Sequence, residues 1–252
     1  MKLTVRDIGG GPSLFLLHGL FGSGDNWVFV ARRLEDRFRC ILPDLRNHGG
    51  SGWSGPFGYR DMAADILDTA DGLGLDRFHV LGHSLGAKTA MALALMAPGR
   101  VERMGAADMA PRHYDGSELL RLAGLMMSLD LSRLRSRREA DAALAPEVPD
   151  PAIRGFLLKN LREEGEGFSW KLNLQALRDS FPGMAAWEES GTFTGPVLFL
   201  RGEKSRYIRD EDLPEARRFF PRAEMVTVPG AGHWVHADNP QFVIHAVARF
   251  FG

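Results

Sequence analysis

The chain has one cysteine among its 252 residues, Cys40, which excludes an internal disulfide framework and a cysteine-based zinc cluster. Within FRCILPD it reads as a small buried apolar side chain rather than a reactive thiol. Net charge is nearly absent as well: 31 lysines and arginines against 32 aspartates and glutamates leave a formal −1. A field that small does not hold nucleic acid or an anionic membrane surface against salt, so any partner must be recognised by a site. Long apolar stretches are also missing. LFLLHGLF falls far short of a bilayer span, and MKLTVRDIGGG has no apolar segment of the secretory kind after its lysine. These absences predict a soluble, unexported, cytoplasmic protein with no membrane span. At 44% hydrophobic and 25% charged, the chain suits one large core, or a core with a small lid.

What is present alternates. Short apolar runs bounded by turn residues read as strands at 14–19, 39–44, 78–83, 104–111, 197–203 and 224–230. Helical periodicity lies between them at 27–34, 59–73, 87–97, 213–220 and 240–250. Strict alternation predicts an α/β fold, a mostly parallel sheet covered on both faces, with ligands bound beyond the carboxyl ends of the strands. One segment departs from the rhythm. From Arg112 to about Glu189 only helical pieces are legible, joined by the proline-bearing APEVPDP. The expected organisation is therefore a core of residues 1–110 and 191–252, with an all-helical cap, 111–190, over the carboxyl edge of the sheet. Apolar cap residues, Met126, Phe156, Leu157, Trp170, Met184 and Trp187 among them, could line a pocket or simply pack the lid.

Gly82-His83-Ser84-Leu85-Gly86 fits Gly-x-Ser-x-Gly, in which a serine stands on a sharp turn from strand to helix. The alternative for an isolated match is a serine N-cap, but FHVL before it and AKTAMALALMA after it supply the strand and helix that the turn needs. Ser84 is the candidate nucleophile. LLHGLFGSGDNW offers the N–H of Leu20, with Phe21 as neighbour, to join that of Leu85 in an oxyanion hole; the competing reading is an ordinary glycine-rich turn. The base comes from VPGAGHWVHADNP, where His233 lies in a glycine-flanked loop and His236 suits a structural place entering the last helix. The acid is less plain. The loop FLRGEKSRYI carries Ser205 where an aspartate is expected, whereas Asp108, in GAADMAP, is a carboxylate among small and apolar residues that needs a strong donor. His233 would serve as that donor, with Ser205 giving the histidine a second hydrogen bond. Glu203 and Asp210 stay open as alternatives. No histidine pair has metal-ligand spacing on a helix, so no metal is expected.

Taken together, HGLFGSGDNW, PDLRNHGGS, GHSLGAKTAM, ADMAP, RGEKSRYI and GAGHWVHADNP resemble the α/β-hydrolase superfamily, and within it the small bacterial esterases. The resemblance spans nearly all of the chain outside the helical insertion. It implies an eight-stranded, mostly parallel sheet with a helical cap, and hydrolysis of carboxylic or thio esters through an acyl-enzyme on Ser84 without a cofactor. By position it implies Ser84, His233 and Asp108 with Ser205 as a serine-modified relay, Leu20 and Leu85 as oxyanion donors, and a structural motif at Asp44 and Arg46. A carbon–carbon bond hydrolase or a thioesterase is the nearest alternative, for the same machinery serves both. A ligand-binding module that turns over slowly is the rival from another class. The partner is a small-molecule ester, the protein a monomer or homodimer.

Overall fold

The computed structural model describes residues 1–165 and 167–252. In chain order the first half comprises β1 (Val5–Ile8), β2 (Ser13–Leu17), α1 (Val28–Leu34), β3 (Arg39–Pro43), α2 (Tyr59–Gly72), β4 (Phe78–His83), α3 (Leu85–Met96) and β5 (Val101–Ala107). Then come α4 (Ser117–Ser128), α5 (Arg137–Leu144), α6 (Pro151–Leu158), β6 (Leu161–Glu164), β7 (Gly167–Trp170) and α7 (Leu174–Ala185). The chain returns through β8 (Val197–Gly202), α8 (Asp212–Phe219), β9 (Ala223–Val228), α9 (Val235–Asp238) and α10 (Pro240–Phe251). The sheet order is β1-β3-β2-β4-β5-β8-β9, parallel except for β1, which runs antiparallel to β3.

Because side chains alternate along a strand, the sheet feeds two cores. Phe15, Leu17, Val80, Met104 and Phe199 join the core on the side of α2, α3 and α8, whereas Leu14, Leu16, Leu81, Leu198 and Leu200 join that of α1 and α10. Both faces are dry, which is why these strands read as unbroken apolar runs rather than alternating ones. Cys40 is fully buried in the second core, and burial pushes its thiol up to about 12, as suits a packing role. No helix among the described residues is long and apolar enough to cross a membrane.

Two expectations need correction. Among the described residues the sheet has seven strands, not eight. Residues ahead of β1 add no further ladder; they are tied instead to the loop after β3, with Thr4 N donating to Ser51 Oγ at 2.8 Å and Asp44 N donating to Thr4 O at 2.9 Å. Nor is the insertion all-helical, for β6 and β7 form an antiparallel hairpin pairing Leu161 with Trp170. LREE carries the charge of a solvated helix face, but Gly165, at φ 60°, turns the chain back after one buried residue, Leu161. The short edge strand β1 was also missed, its two central residues being exposed and charged.

The insertion is fastened to the core by polar contacts as well as apolar ones. Phe57 N donates to Ser180 Oγ at 2.8 Å, the Tyr59 hydroxyl to Met184 O at 2.6 Å, and Asn173 Nδ2 to Ser54 O at 3.0 Å. Beneath them, Arg46 grips Asp65 through two bonds, Nε to Oδ2 at 2.6 Å and Nη2 to Oδ1 at 2.8 Å. Asp65 is 1% exposed, so its charge depends on Arg46 and the Met1 amine. Removing one partner of a buried pair strands the other charge. Arg46→Leu is therefore expected to cost about 3 kcal/mol of stability, read as a lowered urea midpoint at unchanged slope.

Candidate active site

Ser84 occupies the step from β4 to α3 with φ 53° and ψ −113°, a left-handed backbone that a serine adopts only under constraint. Its N–H is anchored to Ala107 O at 3.1 Å. The flanking glycines are steric necessities. A Cβ at Gly82 would lie 2.0 Å from Gly86 O, and one at Gly86 would lie 2.5 Å from Leu17 O and 2.6 Å from His18 O. Helix α3 thus starts hard against the ends of β2 and β4, and Leu85 N is among its unpaired first N–H groups.

Asp108 follows β5 with φ 51° and no exposure to solvent. Three donors satisfy its carboxylate. Oδ1 accepts from Gly202 N at 3.0 Å, and Oδ2 accepts from His233 Nδ1 at 2.8 Å and from the Ser205 hydroxyl. Ser205 therefore bonds the carboxylate and not the imidazole, contrary to expectation. The hydroxyl and the ring N–H both donate to Oδ2, and the hydroxyl oxygen accepts from Tyr207 N at 3.1 Å instead of from the ring. Neither alternative acid reaches the ring: Glu203 accepts from Gly230 N at 2.7 Å, and Asp210 pairs with Arg201 at the surface.

With Nδ1 committed to Asp108, Nε2 is the free nitrogen of His233. Its ring lies flat against Tyr207, centroids 3.8 Å apart and planes 19° from parallel. Tyr207 is itself held, its carbonyl accepting from the Tyr114 hydroxyl at 2.6 Å. His83, the variable residue before Ser84, has its Nε2 2.8 Å from His233 O and so fixes the loop that carries His233. Neither Tyr207 nor His83 was assigned a role from sequence. Tyr207 lies two residues beyond Ser205, but only packing reveals the stack.

The neighbouring histidines are kept neutral. Burial holds His83 well below its usual range, with His233 and His236 adding to the effect. Burial, helped by His233, lowers His236 to about 4; its ring stacks on Trp27 at 4.5 Å within α9, as befits a structural residue. His18 is likewise lowered by burial to about 4, and accepts from Leu45 N at 2.9 Å while its Nδ1 faces Gly19 O at 2.8 Å. That pair of bonds steadies the turn carrying Leu20.

Ser84, His233 and Leu20 open on a cavity of about 970 Å³, with Leu85 buried beneath. Leu119 and Leu122 of α4 and Ile153, Phe156 and Leu157 of α6 supply an apolar wall, which Trp234 joins with its ring 5.7 Å from that of Phe156. Of the apolar residues singled out from sequence, Phe156 and Leu157 line it, whereas Met126 and Met184 are packed in the core. Among the described residues no cluster of three or more His, Cys, Asp or Glu side chains is placed to hold a metal ion.

A parallel sheet whose strained serine turn, buried carboxylate and loop histidine all meet at its carboxyl edge defines the α/β-hydrolase class. The sequence agrees: a model of the α/β-hydrolase family matches residues 14–246, and the chain belongs to that family. Among its relatives is the Esterase YbfF of Escherichia coli, 34% identical over 99% of both chains. The sn-1-specific diacylglycerol lipase ABHD11 of Mus musculus is 38% identical, the match covering 95% of this chain and 80% of that protein. A solved marine microorganism esterase superposes with a TM-score of 0.96 at 35% identity, over 99% of each chain. The family resemblance carried by the motifs is thus borne out.

The steric reading of the turn has a direct test. Gly82→Ala forces a methyl group into the Gly86 carbonyl, and is expected to cost about 3 kcal/mol or more in chemical denaturation. Gly99→Ala, where a Cβ meets nothing, should cost far less.

Proposed function

We propose that the protein is a serine carboxylesterase that cleaves small to medium carboxylic or thio esters through an acyl-enzyme on Ser84. That it is a carboxylic ester hydrolase rests on the family and on relatives named esterase and diacylglycerol lipase. The finer reading rests chiefly on one observation: the fully buried Asp108 carboxylate bonds Nδ1 of His233, the histidine that shares a cavity with the strained Ser84.

In the proposed sequence, His233 Nε2 takes the Ser84 proton as Oγ attacks the ester carbonyl. The N–H groups of Leu20 and Leu85 receive the oxyanion, and the imidazolium returns its proton to the leaving alcohol or thiol. Water then repeats the cycle on the acyl-enzyme. Asp108 holds the ring in the tautomer with Nδ1–H and stabilises the imidazolium, while Ser205 and Gly202 N keep the carboxylate aimed at the ring. Residues 111–190 act as a cap over a core of 1–110 and 191–252, because α4 and α6 wall the cavity above Ser84. Asp108 in the acid's role, bonded to His233, supports turnover over a ligand-binding module.

A chain-length series of p-nitrophenyl esters, acetate to dodecanoate, tests the reading. Wild type should turn over and Ser84→Ala should not, with the optimum reporting the depth of the apolar wall; equal rates for the two proteins would end the proposal. Asp108→Asn keeps the shape but inverts the hydrogen bond, and should lower kcat on the order of 10⁴-fold, as in serine proteases. Ser205→Ala, which removes one of three donors, should cost much less. A loss below about tenfold for Asp108→Asn, with the fold intact, would take the acid's role from Asp108.

A further inference from the structure

The turn that carries Leu20 is closed by Gly22 N donating to Gly19 O at 3.0 Å, with Phe21 at its third position. Phe21 has φ 60° and is 2% exposed. A left-handed backbone at a bulky residue is strained, and an isolated turn would relax toward negative φ, re-aiming the peptides on either side of Phe21. Something outside the turn must hold it. The partner found is Asn160, whose Nδ2 donates to Phe21 O at 2.8 Å across 139 positions of sequence.

Asn160 is built for that bond. It is 4% exposed, and the same Nδ2 donates to Leu157 O at 3.2 Å, so both partners are carbonyl oxygens and the amide can face only one way. Its backbone is fixed at both ends, its N–H donating to Leu157 O at 3.1 Å and its carbonyl accepting from Lys171 N at 2.8 Å. The first bond ties it to the end of α6 and the second to the residue after β7. Every anchor of Asn160 therefore lies in the inserted segment, and its side chain reaches out of that segment to the core.

We infer that Asn160 is a positioning residue through which the segment 111–190 holds the oxyanion turn in its strained conformation, so that the hole is complete only while that segment is docked. The inference rests on the esterase reading above and extends it: the cap contributes to the chemical step as well as to the pocket. Oxyanion donors act only when aimed at the place the charge will occupy, and losing one outright costs on the order of 10²–10³ in kcat. A donor left in place but loosened should cost less, about ten- to hundredfold.

The test compares wild type, Asn160→Ala and Asn160→Asp on p-nitrophenyl butyrate, with n-butylboronic acid and n-butyrate as inhibitors. Boron accepts the Ser84 oxygen and becomes tetrahedral and anionic, like the oxyanion, whereas butyrate reports ground-state binding. Expected are a kcat lowered about ten- to hundredfold with KM within about threefold, boronate affinity lowered by a similar factor, and butyrate affinity unchanged. Asn160→Asp should do no better than alanine, because an ionised carboxylate cannot donate to Phe21 O. If alanine lowers the folded fraction in thermal melts, Asn160→Ser is read instead, at a temperature where it stays folded. A kcat within twofold of wild type, or a loss carried by KM and butyrate alike, would overturn the inference while leaving the esterase reading in place. Absence of Ser84-dependent turnover in wild type would bring down both.

Discussion

A carboxylate with no access to solvent has to find its hydrogen bonds inside the protein, and much of this site is arranged by how Asp108 finds them. Its donors come from three places that are remote in sequence: the end of β8 at Gly202, the loop after it at Ser205, and the loop after β9 at His233. Moving any of these strands by a fraction of a turn would leave a buried charge short of a partner, at a cost comparable with a large part of a domain's stability. The parallel register of β5, β8 and β9 is therefore also the device that delivers the histidine to its place.

Close approach is the second constraint. Gly82 and Gly86 let α3 begin against β2 and β4, and this contact sets Ser84 at φ 53° above the sheet edge. Ser84 and Phe21, which line the cavity, and Asp108, bonded to His233 behind it, all hold left-handed backbones. Such strain persists only where surrounding contacts over-determine it. Here those contacts are the bond from Ser84 N to Ala107 O, the bond from Asp108 N to Leu200 O, and the Asn160 amide on Phe21. Buried neutral histidines complete the frame. His18 by two bonds and His83 by one fix loops while adding no charge beside His233.

Some of this was legible because a local steric demand is met by neighbouring residues. The strand, the Gly-x-Ser-x-Gly turn and the helix must occur in that order within a few positions, so Ser84 could be read directly. His233 was legible as a loop histidine after the last strand. Buried strands showed as unbroken apolar runs, whereas β1 and the β6–β7 hairpin did not, because short half-exposed strands are defined by their partners and not by their own pattern. Ser205 was seen but given the wrong partner. Whether a hydroxyl bonds an imidazole or the carboxylate behind it depends on the relative placement of groups 97 and 125 residues apart from Asp108.

By itself, then, the sequence determined the α/β alternation, the serine turn and the identities of the groups brought to it, since periodicity and local sterics act between near neighbours. Only the tertiary structure decided what those groups touch: Asp108 as the acceptor shared by Ser205 and His233, Tyr207 against the imidazole, and Asn160 on the Leu20 turn. Each of these contacts joins segments far apart along the chain. Their distances depend on sheet register and on how the inserted helices seat, and no single stretch of sequence encodes either.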